Sequence, residues 1–349
     1  STGPSFSVNE LLVFASRYIQ NDALYDSFLI NSIREVNGKL KDLDPSAVSG
    51  LIKSARSITS KNTLGLYFLH LVTRIDSKSL VEISTALTPS AEKDAAILEA
   101  TDRIESFDFV DIVRISVAFY NELQRAKFIN KTIPKVEKLY QVQFAEILAT
   151  TQIDSIREQL VEKFIGRAHD SSFAASLDLT RKGGTEKGKK IVIMNTAKRL
   201  KALTGQHIAD LAALLAEGEF RDGVIENLTA SVSGSWAADT IRVIRLCTSS
   251  NCKLNVFKKF VDLGYDPVLS SHLIQITQNV TDPNVTVQIL RKAALALGKN
   301  IAGGDVIQIV SLIPSRSTKN ADQLALLIDI FKEARNLKTT EALGACGQL

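Results

Sequence analysis

An apolar residue returns to the middle of a helical stripe about every 32 residues along most of this chain. Starting from Leu51, the comparable positions are Ile83, Ile115, Ile147, Leu177, Leu211, Ile244, Ile276 and Ile309, at steps of 32, 32, 32, 30, 34, 33, 32 and 33. Each interval leaves room for one more helix and two turns, as at 64–73, 95–104, 126–139, 224–231, 256–263 and 287–297. A lone hairpin of two helices cannot bury its apolar face, whereas stacked hairpins bury a continuous core. The spacing therefore predicts an all-α chain, an α-solenoid of antiparallel helical hairpins with a period of about 32–33 residues.

Local signals agree with that reading. Ser7 and Glu10 have capping-box spacing, and Leu11, Leu12, Phe14, Ala15, Tyr18 and Ile19 fall on one helical stripe after them. Asp22 caps a second predicted helix, and Asp44-Pro45 marks the start of a third, because proline is tolerated at the first helical position. Helices of this length joined by three or four residues fold back as antiparallel neighbours. Only 7 prolines and 18 glycines in 349 residues leave little punctuation for many short strands.

The composition is 45% hydrophobic and 23% charged, too apolar for a disordered chain. The net charge of +4 is small, and it is unevenly placed. Eight cations lie between Arg181 and Lys201 (Arg181, Lys182, Lys187, Lys189, Lys190, Lys198, Arg199 and Lys201) against the single acid Glu186. Proteins that bind duplex nucleic acid along their length spread more positive charge than this. The same segment is glycine-rich and lacks a helical stripe. It predicts three parts: an N-terminal helical-repeat half over 1–180, a basic glycine-rich loop over 181–190 and a C-terminal half over 191–349, or else one continuous solenoid.

Motifs for chemistry are weak. Gly183-x-x-x-x-Gly188-Lys189 has P-loop spacing, but Lys190 stands where the Mg²⁺-binding Ser or Thr belongs, and the residues before it read as helix. A flexible basic connector is the plainer reading, with contact to RNA phosphates or an acidic partner the sharper one. His70, His169, His207 and His272 are too far apart in sequence for paired zinc-ligand spacing. Cys247 and Cys252 form the one close cysteine pair; Cys247 sits in an apolar stripe, and three cysteines predict reduced core thiols rather than a disulfide framework. The acids are scattered singly, so no catalytic, metal or cofactor set is expected. The polar residues beside the anchors (Lys53 and Ser54, Ser84 and Thr85, Glu146, Arg242 and Arg245, Gln308) follow no two-residue code of the kind a base-reading repeat uses. No run approaches the ~18 apolar residues that span a bilayer.

The stretch Leu24–Ile58, with Leu24, Phe28, Ile33, Leu40, Leu43, Val48, Leu51 and Ala55 as its repeating apolar positions, resembles the helical-repeat proteins common in organelles, the octotricopeptide and FASTK/RAP-type and HEAT-like repeats among them. The resemblance is one of architecture, and no functional residue carries over. It implies a scaffold or adaptor, a structural subunit of a large mitochondrial multiprotein or ribonucleoprotein assembly, with other protein subunits as partners. A cytoplasmic setting is the alternative location. The alternative function is an RNA-binding helical-repeat protein of organellar RNA processing or translation. It would use Arg181, Lys182, Lys187, Lys189, Lys190, Lys198 and Arg199. Loss of an organellar presequence and a trimmed start both account for Ser1 at the head of the chain.

Overall fold

Hydroxyl, Asp and Asn side chains set the helix starts. Ser57, Asp76, Ser90, Asn121, Ser172, Thr204 and Ser249 each accept a hydrogen bond from a backbone amide in the first turn that follows. Each such bond satisfies a donor that the helix leaves without an internal partner. The computed structural model describes residues 8–35, 45–170, 172–233, 237–263, 270–297, 303–313 and 319–333. Ser7, Val36, Leu40, Leu43 and Asp44 lie outside them.

Twenty α-helices occur among the described residues, and no strand. They are α1 (Val8–Tyr18), α2 (Asp22–Glu35), α3 (Pro45–Ser54), α4 (Ile58–Leu71), α5 (Ser77–Ala86), α6 (Ala91–Thr101), α7 (Phe109–Val117), α8 (Glu122–Thr132), α9 (Gln141–Ala149) and α10 (Asp154–Phe164). They continue with α11 (Phe173–Arg181), α12 (Glu186–Arg199), α13 (Gly205–Ala212), α14 (Glu219–Ala230), α15 (Ala237–Leu246), α16 (Ser250–Asp262), α17 (Ser270–Gln278), α18 (Pro283–Leu297), α19 (Gly303–Ser311) and α20 (Lys319–Glu333). Short 3₁₀ turns, Ile133–Lys135 and Ile165–Arg167, extend α8 and α10.

The chain divides into two compact units, Ser1–Gly188 and Lys189–Leu349. In the first, the odd-numbered helices form one layer: α3 packs on α5, α5 on α7, α7 on α9 and α9 on α11. The second layer runs α2, α4, α6, α8. In the second unit α13, α15, α17 and α19 pack in series, as do α14, α16, α18 and α20. Each unit is a stack of antiparallel hairpins, the all-α solenoid packing that the spacing predicts.

The anchors occupy the odd-numbered layer. Leu51, Ile83, Ile115, Ile147, Leu211, Ile244, Ile276 and Ile309 are all buried. Leu177 is only half-buried, and Leu179 takes its place at 0% exposure. With Leu179 as anchor the irregular steps of 30 and 34 both become 32. The register of the first hairpin also differs from expectation. Tyr25 and Leu29 face the core, while Leu24, Phe14 and Tyr18 are exposed.

A second regularity is polar. The fourth or fifth residue of an even-numbered helix reaches the turn of the following hairpin, 25 to 27 residues on in most cases and 30 or 31 at Asp26. Asp26 accepts from the amides of Arg56 and Ser57, both at 2.8 Å. Asn62 bonds Thr88 through its backbone amide and hydroxyl. Asp94 accepts from Tyr120 N at 3.0 Å and Asn121 N at 2.8 Å. Asp222 accepts from Thr248 N and Ser249 N, both at 2.7 Å. At the same position Arg125 donates to Thr150 O at 2.7 Å and Lys253 to Asn279 O at 2.7 Å. Farther along, Arg103, Lys135 and Arg167, each 32 residues from the last, donate to carbonyls at the end of the preceding hairpin: Leu69 and His70, Thr101 and Ile104, Pro134 and Val136. Cations suit these helix ends because the exposed carbonyls carry partial negative charge.

Candidate functional site

The basic segment differs most from its sequence reading. Residues 181–190, expected as a loop, are helical at both ends: Arg181 closes α11, and Glu186 opens α12. The turn is confined to 182–185. Thr185 starts α12, its Oγ1 accepting from Gly188 N at 3.2 Å. The glycines answer to packing. Gly184 has φ +80°, and a Cβ there would lie 2.3 Å from the carbonyl oxygen of Asp154. A Cβ on Gly188 would lie 2.0 Å from Gly183 O. The P-loop spacing thus arises from a tight helix–turn–helix corner that follows a helix, not a strand.

The candidate cations are in different circumstances. Lys187 pairs with Glu158 at 3.0 Å and lies 3.7 Å from Glu162. Thr185 Oγ1 also donates to Glu158. The Thr185 hydroxyl and the Lys187 ammonium hold the Glu158 carboxyl below its ordinary value. Glu158 in turn raises Lys187 above the usual lysine value. Lys187 therefore belongs to the corner that joins α10 to α12. In the second unit, the Lys190 ammonium lies 5.4 Å from the centre of the Phe220 ring. Arg181 and Lys182 stand at the C-terminal end of α11, and Lys198 and Arg199 in the last turn of α12, where cations offset the helix dipole. Arg199 also continues the 32-residue spacing of Arg103, Lys135 and Arg167. Arg181, Lys182 and Lys198 have no carboxylate within ion-pair distance among the described residues. Lys189 is half-buried in α12.

Two features were not anticipated from the sequence. Between α5 and α7 a groove of about 450 Å³ is lined by Lys78, Val81, Glu82, Asp108, Phe109, Val110, Asp111 and Arg114. Val110 is 41% exposed there. Ser49 and then Lys53 hold the Glu82 carboxyl below its ordinary value, and Asp111 accepts from Ser77 Oγ at 2.5 Å. The groove therefore offers an apolar floor with fixed charges of both signs.

The other feature is a buried cluster. One carboxylate oxygen of Asp222 and the sulfurs of Cys247 and Cys252 lie within 4.8 Å of one another. The two cysteines, expected as reduced thiols, are joined as a disulfide with Cα atoms 5.7 Å apart, inside the usual range for such a bond. Cys247 follows the last residue of α15 and Cys252 lies in the first turn of α16, so the short turn brings them together. The signal in sequence was the five-residue separation itself. The histidines do not converge: His70 Nδ1 meets Glu99 at 2.8 Å, and His207 closes a capping box with Thr204.

No protein-family model matches the chain, and no curated protein matches it. Among solved structures it is similar to a chain described under "Computational Design of Self-Assembling Cyclic Protein Homooligomers", at 11% identity, over 94% of this chain and 98% of that one, with a TM-score of 0.12. A superposition that poor carries no argument about fold or function.

Proposed function

We propose that this chain is a non-enzymatic helical-repeat scaffold or adaptor, a structural subunit of a large multiprotein or ribonucleoprotein assembly. The observation that supports this reading best is the destination of its recurrent polar residues. The Asp, Asn, Arg and Lys side chains that return with the repeat bind the turns and helix ends of neighbouring hairpins. A base-reading array turns its recurrent polar residues toward the ligand. Here they hold neighbouring hairpins together within each unit, and the outward polar positions vary from hairpin to hairpin, which suits a surface shaped for particular protein partners. The groove between α5 and α7 is one such surface. The mitochondrial setting of the assembly rests on the resemblance to organellar helical repeats. Purification of the tagged chain from its native source at modest salt, followed by mass spectrometry, is the test. Stoichiometric co-purifying subunits are expected, and a chain that elutes alone at every salt concentration contradicts the proposal.

RNA binding is the second reading, favoured by Arg181, Lys182 and Lys198, which have no acidic partner among the described residues. It requires single-stranded RNA affinity that falls steeply between low and moderate salt. It also requires that Arg181→Glu, Lys182→Glu and Lys198→Glu together abolish the binding. Absence of binding at low salt removes this reading.

A further inference from the structure

We propose that Cys247 and Cys252 form a reversible thiol–disulfide site that sets how firmly the α15–α16 turn is held by the preceding hairpin. The argument starts from Asp222. This buried residue of α14 accepts from two turn amides, those of Thr248 and Ser249. Both donors lie inside the six-residue ring that the Cys247–Cys252 bond closes. Closing the ring restricts the turn to conformations near the one that presents both amides to the carboxylate. Opening it returns backbone freedom to the residues that Asp222 must hold.

The equivalent turns work without such a ring. Asp26 holds Arg56 and Ser57, and there Ala55 and Ser60 stand where Cys247 and Cys252 do. Asp94 holds Tyr120 and Asn121, flanked by Phe119 and Gln124. The acid suffices to hold a turn, so the cysteine pair adds an adjustable increment to an arrangement that stands on its own. A short ring also restricts the unfolded chain less than a long one does, which argues for adjustment over general stapling.

The chemistry is thiol–disulfide exchange with a low-molecular-weight thiol. A reductant thiolate attacks the sulfur of Cys247, the more exposed of the pair at 3% against 0%. The Cys247–Cys252 bond breaks, and the Cys252 sulfur leaves with the bonding electron pair and takes up a proton, because the Asp222 carboxylate within 4.8 Å disfavours a lasting thiolate there. A second reductant thiolate then resolves the mixed disulfide. In sum, the disulfide takes up two electrons and two protons to give two thiols, and the reductant becomes a disulfide. Because both sulfurs are buried, exchange proceeds through local opening of the turn.

The test uses the full chain across a series of glutathione redox buffers. Alkylation under denaturing conditions, mapped by peptide mass spectrometry, is expected to show Cys247 and Cys252 converting together. Amide exchange of Thr248 and Ser249 is expected to rise roughly three- to tenfold on reduction, the scale of one hydrogen bond's net contribution. Exchange at Arg56, Ser57, Tyr120 and Asn121 should stay constant. Cys247→Ala with Cys252→Ala should show the reduced rates and no response to the buffer. If that variant does not fold, the native chain with and without dithiothreitol still decides. Two cysteines that stay fully alkylated in every buffer, or Thr248 and Ser249 rates that ignore the redox state, overturn the proposal.

Discussion

Replacing Asp94 by Ala removes one hairpin-to-hairpin bond pair and nothing from the apolar core. The carboxylate is fully buried, and its two oxygens accept separately from Tyr120 N and Asn121 N. A hydrogen bond to a charged partner contributes about 1.5–3 kcal/mol, and a buried donor left without a partner costs in the same range. Two such bonds give about 3–6 kcal/mol for Asp94→Ala. A further loss comes from Lys93, which is 2% exposed and donates to Leu87 O at 3.0 Å. Burial pushes this lysine below its ordinary value, against the pull of the Asp94 charge. Without Asp94 the buried ammonium loses that compensation. Asp94→Asn keeps the volume and one acceptor, so it should lose about half as much.

The assay is urea unfolding combined with amide exchange. Neighbouring hairpins couple mainly to each other, so protection should fall at 120–132 and in α6, and least in the second unit. Lys93→Met should partly rescue Asp94→Ala, since no buried charge then remains unpaired. An Asp94→Ala change under about 0.5 kcal/mol, with unaltered exchange at Tyr120 and Asn121, refutes the reasoning.

Arg103→Ala removes donors to Leu69 O at 2.6 Å and His70 O at 3.2 Å; a loss of about 1–2 kcal/mol is expected by urea denaturation. Gly184→Ala meets both a left-handed φ and the Asp154 carbonyl, and should cost about 1–3 kcal/mol. Gly223→Ala, inside α14 with nothing within 4 Å, should instead stabilise by about 0.5–1 kcal/mol. Acid titration followed by circular dichroism tests Asp26. Burial alone would raise its carboxyl, but the Arg56 and Ser57 hydrogen bonds outweigh this and lower it. Its contribution is therefore complete above the ordinary carboxylate pKa of about 3.9 and fades as the pH falls through the lower folded value. Asp26→Asn should be less stable at neutral pH and show a shallower acid transition. Val110→Glu should leave unfolding unchanged while reducing the recovery of co-purifying partners.

The apolar anchors were legible because one chemical class, Leu or Ile, fills the same position at nearly constant spacing. The misplaced Leu177 shows the limit of that signal: two leucines stand two residues apart, and only packing selects Leu179. The polar regularity was illegible for a different reason. Asp26, Asn62, Asp94, Arg125, Asp222 and Lys253 share a place and a reach but neither charge nor size. One-dimensional pattern reading searches for identity, whereas what recurs here is a distance to the next turn. The segment 181–190 misled because three glycines suggest a loop, when Gly184 and Gly188 are demanded by backbone passing too close for a Cβ. The Asp222 cluster was invisible because its acid lies 25 residues before Cys247.

The choice of residue at the reaching position has a consequence for the order of the hairpins. An Asp there requires a turn that presents amides, as at Tyr120 and Asn121, while Arg125 and Lys253 require one that presents a carbonyl. Adjacent hairpins are thus matched like plug and socket, and the socket changes polarity along the chain. A hairpin duplicated or transplanted at the correct length would keep its apolar anchor yet place acid against carbonyl or cation against amide. The succession of hairpins is in this sense written into the array, and the sequence of surfaces it offers to partners is written with it.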